Sequence, residues 1–154
     1  MPENKITVLY VDDEENNLFS FKATFRIKYE VLTSISGDEA LKILETKQIH
    51  IIITDQRMPE MTGVEFLEKV LEKHPDPMRI LLTGYADMEA VVDAVNKGKI
   101  FHYLTKPWNE EELDLTISRA YEKYLENAQL KEMNEKLAVS NDQLEFLLRQ
   151  KLLS

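Results

Sequence analysis

Short apolar runs alternate along the first two thirds of the chain with segments whose apolar residues recur every three or four positions. The runs are Ile6 to Val11, Tyr29 to Ile35, Ile49 to Thr54, Arg79 to Leu82 and Ile100 to Leu104. Each is short, apolar and bounded by turn or helix-start residues, the pattern of strands buried in a parallel sheet. Between them, Leu18, Phe21 and Phe25 share one helical face, and Gly37-Asp38-Glu39 opens a helix through Leu41, Ile43 and Leu44. A polar loop from Gln56 to Gly63 leads into a helix with Val64, Phe66, Leu67, Val70 and Leu71, which Pro75 and Pro77 end. A further helix runs to about Lys97, with Gly98 as its C-terminal cap. Five such strand–helix units predict an α/β fold: a doubly wound, five-stranded parallel sheet with helices on both faces.

The remainder reads differently. From Asn109 to Ser154 there is neither proline nor glycine, and the segment reads as one long helix. Asn109 with Glu112 gives it an N-x-x-E start. Its first part carries Leu113, Ile117, Ala120, Tyr121 and Tyr124, a face for packing on the sheet. Further on, Leu130, Leu137 and Leu144 recur every seven residues, with Asn127, Asn134 and Asn141 in step and Leu148 next in the asparagine row. That is a heptad with Leu at d and Asn at a, which predicts a marginal parallel dimer, against a reading as a solitary solvated helix or a frayed tail. The expected organisation is a domain over 1–122 and an extended, dimerising helix over 123–154. Phe146, Leu147, Leu148, Leu152 and Leu153 crowd the last residues with no glycine or proline to close the helix. The expectation is a fragment whose helix is a linker to an absent output domain.

Composition narrows the chemistry. The 154 residues contain no cysteine, which excludes disulfides, Cys-ligated zinc, iron–sulfur clusters and a thiol nucleophile. The net charge of −9 gives no general attraction for nucleic acid or anionic membranes. The tail alone is acidic, so direct DNA binding is not expected. No apolar run is long enough to span a bilayer, and Met1 to Lys5 lack a secretion signal, so the expected location is the cytoplasm.

In an open parallel sheet, ligand sites form at the C-terminal ends of the strands. Asp12, Asp13, Asp55, Thr83 and Lys106 each lie at or just past such an end. Taken singly, the acids read as helix caps or loop charges, Thr83 as a turn residue and Lys106 as a surface lysine. Together they form a crevice of three carboxylates, a hydroxyl and an ammonium. Three carboxylates repel one another unless a cation offsets them, and an all-oxygen set with open positions suits Mg²⁺. Lys106 can pair with Asp55 or with a phosphoryl oxygen, and Thr83 can donate a hydrogen bond to the latter. Phosphoryl transfer onto a carboxylate is the chemistry this set serves.

These residues carry a resemblance. Val11-Asp12-Asp13-Glu14, Thr54-Asp55 through Gly63, Leu82-Thr83-Gly84 and Leu104-Thr105-Lys106-Pro107 resemble the bacterial two-component response-regulator receiver domain over residues ~5–122. The resemblance implies a flavodoxin-like fold and an Asp55 that accepts phosphate from the phosphohistidine of a sensor histidine kinase or phosphotransfer protein. It implies Mg²⁺ held by Asp12, Asp13, Asp55 and the main-chain carbonyl of Arg57. Thr83 and Tyr103 would be the switch pair, Lys106 would serve the phosphoryl group, and the bond before Pro107 would be cis. It further implies that the chain is a switch rather than an enzyme, any enzymatic output lying outside it. An inert dimerising adaptor is the alternative reading, and an Mg²⁺-dependent phosphatase a third.

Two side features remain. Arg57 and Tyr85 sit two residues past Asp55 and Thr83 and would flank an attacking water; neither is suited to orienting it, so slow self-dephosphorylation is expected, against a reading as solvated surface residues. Trp108, the single tryptophan, is expected to pack on the first turn of the last helix, with a partner anchor as the alternative.

Overall fold

The computed structural model describes residues 5–153. Five parallel strands form one sheet in the order β2-β1-β3-β4-β5. They are β1 (Thr7–Val11), β2 (Glu30–Ser34), β3 (Ile51–Asp55), β4 (Met78–Thr83) and β5 (His102–Thr105). The helices are α1 (Glu15–Phe25), α2 (Gly37–Thr46), α3 (Gly63–Lys73), α4 (Met88–Asn96) and α5 (Glu110–Leu153), with a short 3₁₀ turn at Tyr85–Asp87 before α4. Contacts divide the chain into two units that meet between Tyr124 and Leu125.

Within the first unit, the two-residue alternation of the strands sorts their side chains to the two faces. Val8, Tyr10, Ile51, Ile53, Ile80 and Leu82 join Phe21 and Phe25 of α1 and Leu113, Ile117 and Ala120 of α5. Leu9, Val11, Ile52 and Leu81 join Ala40 and Leu44 of α2, Phe66, Leu67 and Val70 of α3, and Val91 and Ala94 of α4. The sheet is therefore covered on both faces, as the continuous apolar runs require.

Strand ends differ from the sequence expectation by one or two residues. Tyr29 ends the turn that follows α1 instead of opening β2, its N–H donated to the Phe25 carbonyl. β3 runs on to Asp55, where Gln56 N–H bonds the Leu82 carbonyl and keeps the strand end in the sheet. Gly98 has φ 73° and follows α4, a left-handed position that favours glycine. Asn109 caps α5, its Oδ1 accepting the Glu112 N–H at 3.1 Å. Trp108 packs against Phe21 and Phe25 of α1, with centroids 6.1 and 5.7 Å away, so it joins the α1 side of the core.

The first unit extends to Tyr124 because α5 stays engaged until there. The Tyr124 hydroxyl accepts from Gln48 at 3.4 Å, and its ring meets His50 edge-on at 5.0 Å. His50 Nδ1 in turn accepts the Thr7 N–H at 2.9 Å. In the second unit every described side chain is exposed. Among the described residues, no helix is long and apolar enough to cross a membrane.

Candidate functional site

The C-terminal ends of β1 and β3 place Asp12, Asp13 and Asp55 side by side. Each offers a carboxylate oxygen, and these oxygens lie within 4.8 Å of one another. Asp12 is fully buried and held from three sides. Tyr10 Oη donates to its Oδ2 at 3.0 Å, Asn17 Nδ2 donates to the same oxygen at 3.0 Å, and Glu14 N–H donates to Oδ1 at 3.0 Å. Such a buried charge is tolerable because its lone pairs are occupied. Burial first, and then the Asp12 charge, push the Tyr10 phenol well above its ordinary range.

Asp55 is 6% exposed and forms an ion pair with Lys106, Nζ to Oδ1 at 2.7 Å. Lys106 is positioned by β5, its N–H bonding the Thr83 carbonyl at 3.0 Å, and the Lys106–Pro107 peptide is cis. Burial raises the Asp55 carboxyl above the ordinary carboxylate range and the Asp12 charge adds to this, while Lys106 and a Gln56 backbone hydrogen bond oppose it. One ammonium thus faces three clustered carboxylates, an anionic excess that a divalent cation would offset. The donor set is all oxygen and partly open, since Asp13 is only half-buried. These residues fit Mg²⁺.

Thr83 is fully buried at the end of β4, one residue past Leu82, the β4 partner of Asp55. Its hydroxyl donates to the Gly84 carbonyl at 3.0 Å. Tyr103 is half-buried against the cluster of α2, α3 and α4, its ring 6.0 Å from that of His102. The Arg57 side chain is 74% exposed and pairs with Asp87, Nε to Oδ2 at 2.9 Å, linking the loop after β3 to the turn before α4. The side chain of Tyr85 lies outside the described residues. The fold thus gathers Asp12, Asp13, Asp55 and Lys106, sets Thr83 on the adjoining strand end, and leaves Arg57 and Tyr103 to other contacts.

Several supports of the site were not read from the sequence. Tyr10 and Asn17 hold Asp12; Tyr10 shares a strand face with it at i, i+2, a spacing that could have indicated the contact. Gln56 Oε1 accepts the Val64 N–H at 2.9 Å and fixes the start of α3. Gly63 lets α3 close over β3: a Cβ there would lie 2.4 Å from the Asp55 carbonyl oxygen and 2.7 Å from Leu81 Cδ1. Thr62 completes the helix start in a reciprocal capping box with Glu65.

Residues 8–118 match the family described as response regulator receiver domain. The hydrogenase transcriptional regulatory protein HoxA of Cupriavidus necator is 40% identical over 122 residues, 79% of this chain and 25% of that protein. Regulatory protein AtoC of Escherichia coli is 29% identical over 134 residues, 86% of this chain and 29% of that protein. The chain therefore spans about a quarter of the length of these curated relatives. Among solved structures, the adenylate cyclase from Rhodopirellula baltica superposes with a TM-score of 0.83 at 30% identity, covering 86% of this chain and 98% of that one. The signal receiver domain of an HD domain-containing protein from Pseudomonas fluorescens Pf-5 gives 0.75 at 29% identity, covering 80% and 99%.

Proposed function

The chain belongs to the response regulator receiver domain family, and on that premise we propose that it is a phosphorylation switch whose phosphoacceptor is Asp55. Receiver domains are regulatory modules of two-component signal transduction and bind Mg²⁺ at an acidic cluster of this kind. In this chain Asp12, Asp13 and Asp55 would hold the ion, with the main-chain carbonyl of Arg57 as a further ligand. When bound, Mg²⁺ neutralises charge on the carboxylates and on the incoming phosphoryl oxygens.

The phosphoryl donor is the phosphohistidine of a sensor histidine kinase or of a phosphotransfer protein. A carboxylate oxygen of Asp55 forms a bond to phosphorus. The phosphorus–nitrogen bond of the donor breaks, its electron pair stays on the imidazole nitrogen, and that nitrogen takes up a proton. Asp55 needs no general base, since it reacts as the carboxylate. Lys106 is within reach to follow the charge from the carboxylate to a phosphoryl oxygen. Thr83 exchanges its bond to the Gly84 carbonyl for one to the phosphoryl group, and Tyr103 moves with it. The change biases a two-state element, and α5 carries it to a dimer partner or to an output domain. The location that suits such a partner is the cytoplasm.

The observation that carries this reading is the 2.7 Å Lys106–Asp55 pair inside a cluster of three carboxylates at neighbouring strand ends. The test is incubation with a small phosphodonor and Mg²⁺, followed by intact mass. A switch gains one phosphoryl group, lost on chelation of Mg²⁺ or in Asp55→Ala. An inert adaptor gains none, and a phosphatase turns over an added phosphoester.

A further inference from the structure

Past Tyr124, α5 carries large apolar side chains in the open: Leu130, Met133, Leu137, Leu144, Leu147 and Leu148 are each 55% to 62% exposed. Leu130, Leu137 and Leu144 form a single row at seven-residue intervals, and a row lies on each side of it. One holds Asn127, Asn134, Asn141 and Leu148; the other holds Met133, Ser140 and Leu147. The leucine row makes the alternating three-and-four spacing of a two-stranded coil with either neighbour. With the asparagine row, Leu is at d and Asn at a. With the methionine row, Leu is at a, and Met133, Ser140 and Leu147 take d.

We propose that this face of α5 binds a second copy of the same chain in parallel, through two alternative seams that share the leucine row. At 3.5 residues per turn adjacent positions lie about 103° apart, so exchanging one seam for the other turns each helix by about 50°. The existence of the two seams is independent of the phosphorylation reading; their use as its output rests on that reading.

Charge and polarity identify the occupant and its direction. The sequence from Asn127 to Gln150 contains seven charged side chains, and only Lys136 flanks the leucine–methionine seam; the other six sit at outer positions of that heptad. A copy of this acidic chain can therefore approach without bringing like charges together. In the leucine–asparagine seam, Glu126 at g of one helix faces Lys131 at e of a parallel copy. A parallel pairing also sets each asparagine against the same asparagine of the copy, where the amides bond one another. An antiparallel pairing would set them against leucine and strand the amides. The seams are closely matched: one buries three asparagines but pairs them and gains Leu148, while the other is more apolar and exposes Leu148.

The absence of cysteine makes the test clean. Met133→Cys and Asn134→Cys are introduced singly into the whole chain, and disulfide-linked dimer is measured after mild oxidation. Cross-linking is expected at both positions. Adding Asn141→Leu should raise the yield at 134 over that at 133 several-fold, and adding Ser140→Leu should reverse the ratio. The proposal is overturned by a ratio that neither change moves, by linkage at one position in every background, or by a monomer in sedimentation at high micromolar concentration. It is also overturned if Leu130→Cys links to Leu147→Cys in a mixture while neither single position links to itself. A phosphodonor arm, run beside intact mass, tests the regulation. If Asp55 takes no phosphoryl group the switch reading fails, while the ratios of the untreated chain still decide the two seams.

Discussion

Asp12 illustrates how much of the site rests on single hydrogen-bonding partners. Its carboxyl has no exposure and accepts three hydrogen bonds, which fix its orientation. Replacing one carboxylate of a three-carboxylate site removes a unit of charge and an oxygen ligand. Asp12→Asn should therefore weaken Mg²⁺ binding about tenfold or more, worth about 1.4 kcal/mol, measured by calorimetric titration. Gly63 makes a steric prediction of the same kind. Its missing Cβ would fall 2.4 Å from a backbone oxygen that cannot turn aside, so Gly63→Ala should cost about 1–3 kcal/mol in denaturant unfolding. Arg57 bears on lifetime. Its guanidinium is tied to Asp87 and offers no group that orients water, so Arg57→Asn should shorten the life of the phosphorylated state. An unchanged decay after removal of the phosphodonor would count against slow self-dephosphorylation. Asp12, Asp13, Asp55 and Lys106 were legible because each sits where an apolar run stops. Asn17, Gly63 and the Arg57–Asp87 pair were not, because tertiary approach creates their roles and no local pattern marks it.

Among the elements, α5 shows where local pattern is sufficient and where it stops. The sheet-facing set of Leu113, Ile117 and Ala120 was readable from spacing and is buried as that spacing requires. Tyr121 and Tyr124 of the same face also pack against that cluster; their partner His50, just before β3, which meets both rings edge-on, was not readable. His50 Nδ1 accepts a backbone N–H and must be unprotonated to do so. Burial, the larger influence, holds its pKa below the ordinary 6.5, and the charge of Glu30 opposes this. A folded-state value below the unfolded one means that the unfolded chain binds the proton more readily. The stabilisation is thus fully present above about pH 6.5 and lost as pH falls from there toward the folded value. The urea midpoint should drop across that window, and His50→Gln should flatten the drop. An identical pH dependence in the variant would assign the effect to another group. The strands were readable to within one or two residues, their ends being set by bonds such as Tyr29 N–H to Phe25 carbonyl that the hydrophobic pattern does not encode. The 3₁₀ turn at Tyr85–Asp87 left no periodic signal at all.

At the scale of the whole molecule, a unit whose sheet is buried on both faces is followed in the chain by a helical unit whose described side chains are all exposed. The first has the means to change charge at one point; the second has rows of apolar side chains that no described residue covers. The βαβ topology was legible because parallel strands buried on both faces read as continuous apolar runs, and it then fixes which edge collects the strand-end residues. The central claim is that Asp55 reacts with phosphate in a site made by that topology. Borohydride trapping after treatment with a small phosphodonor and Mg²⁺ tests it most directly, because it reduces an aspartyl phosphate to homoserine, which peptide mass spectrometry locates. The account predicts homoserine at position 55 alone, and none when Mg²⁺ is withheld. Homoserine at position 12 or 13, or at no position in a folded chain saturated with Mg²⁺ and donor, would contradict it.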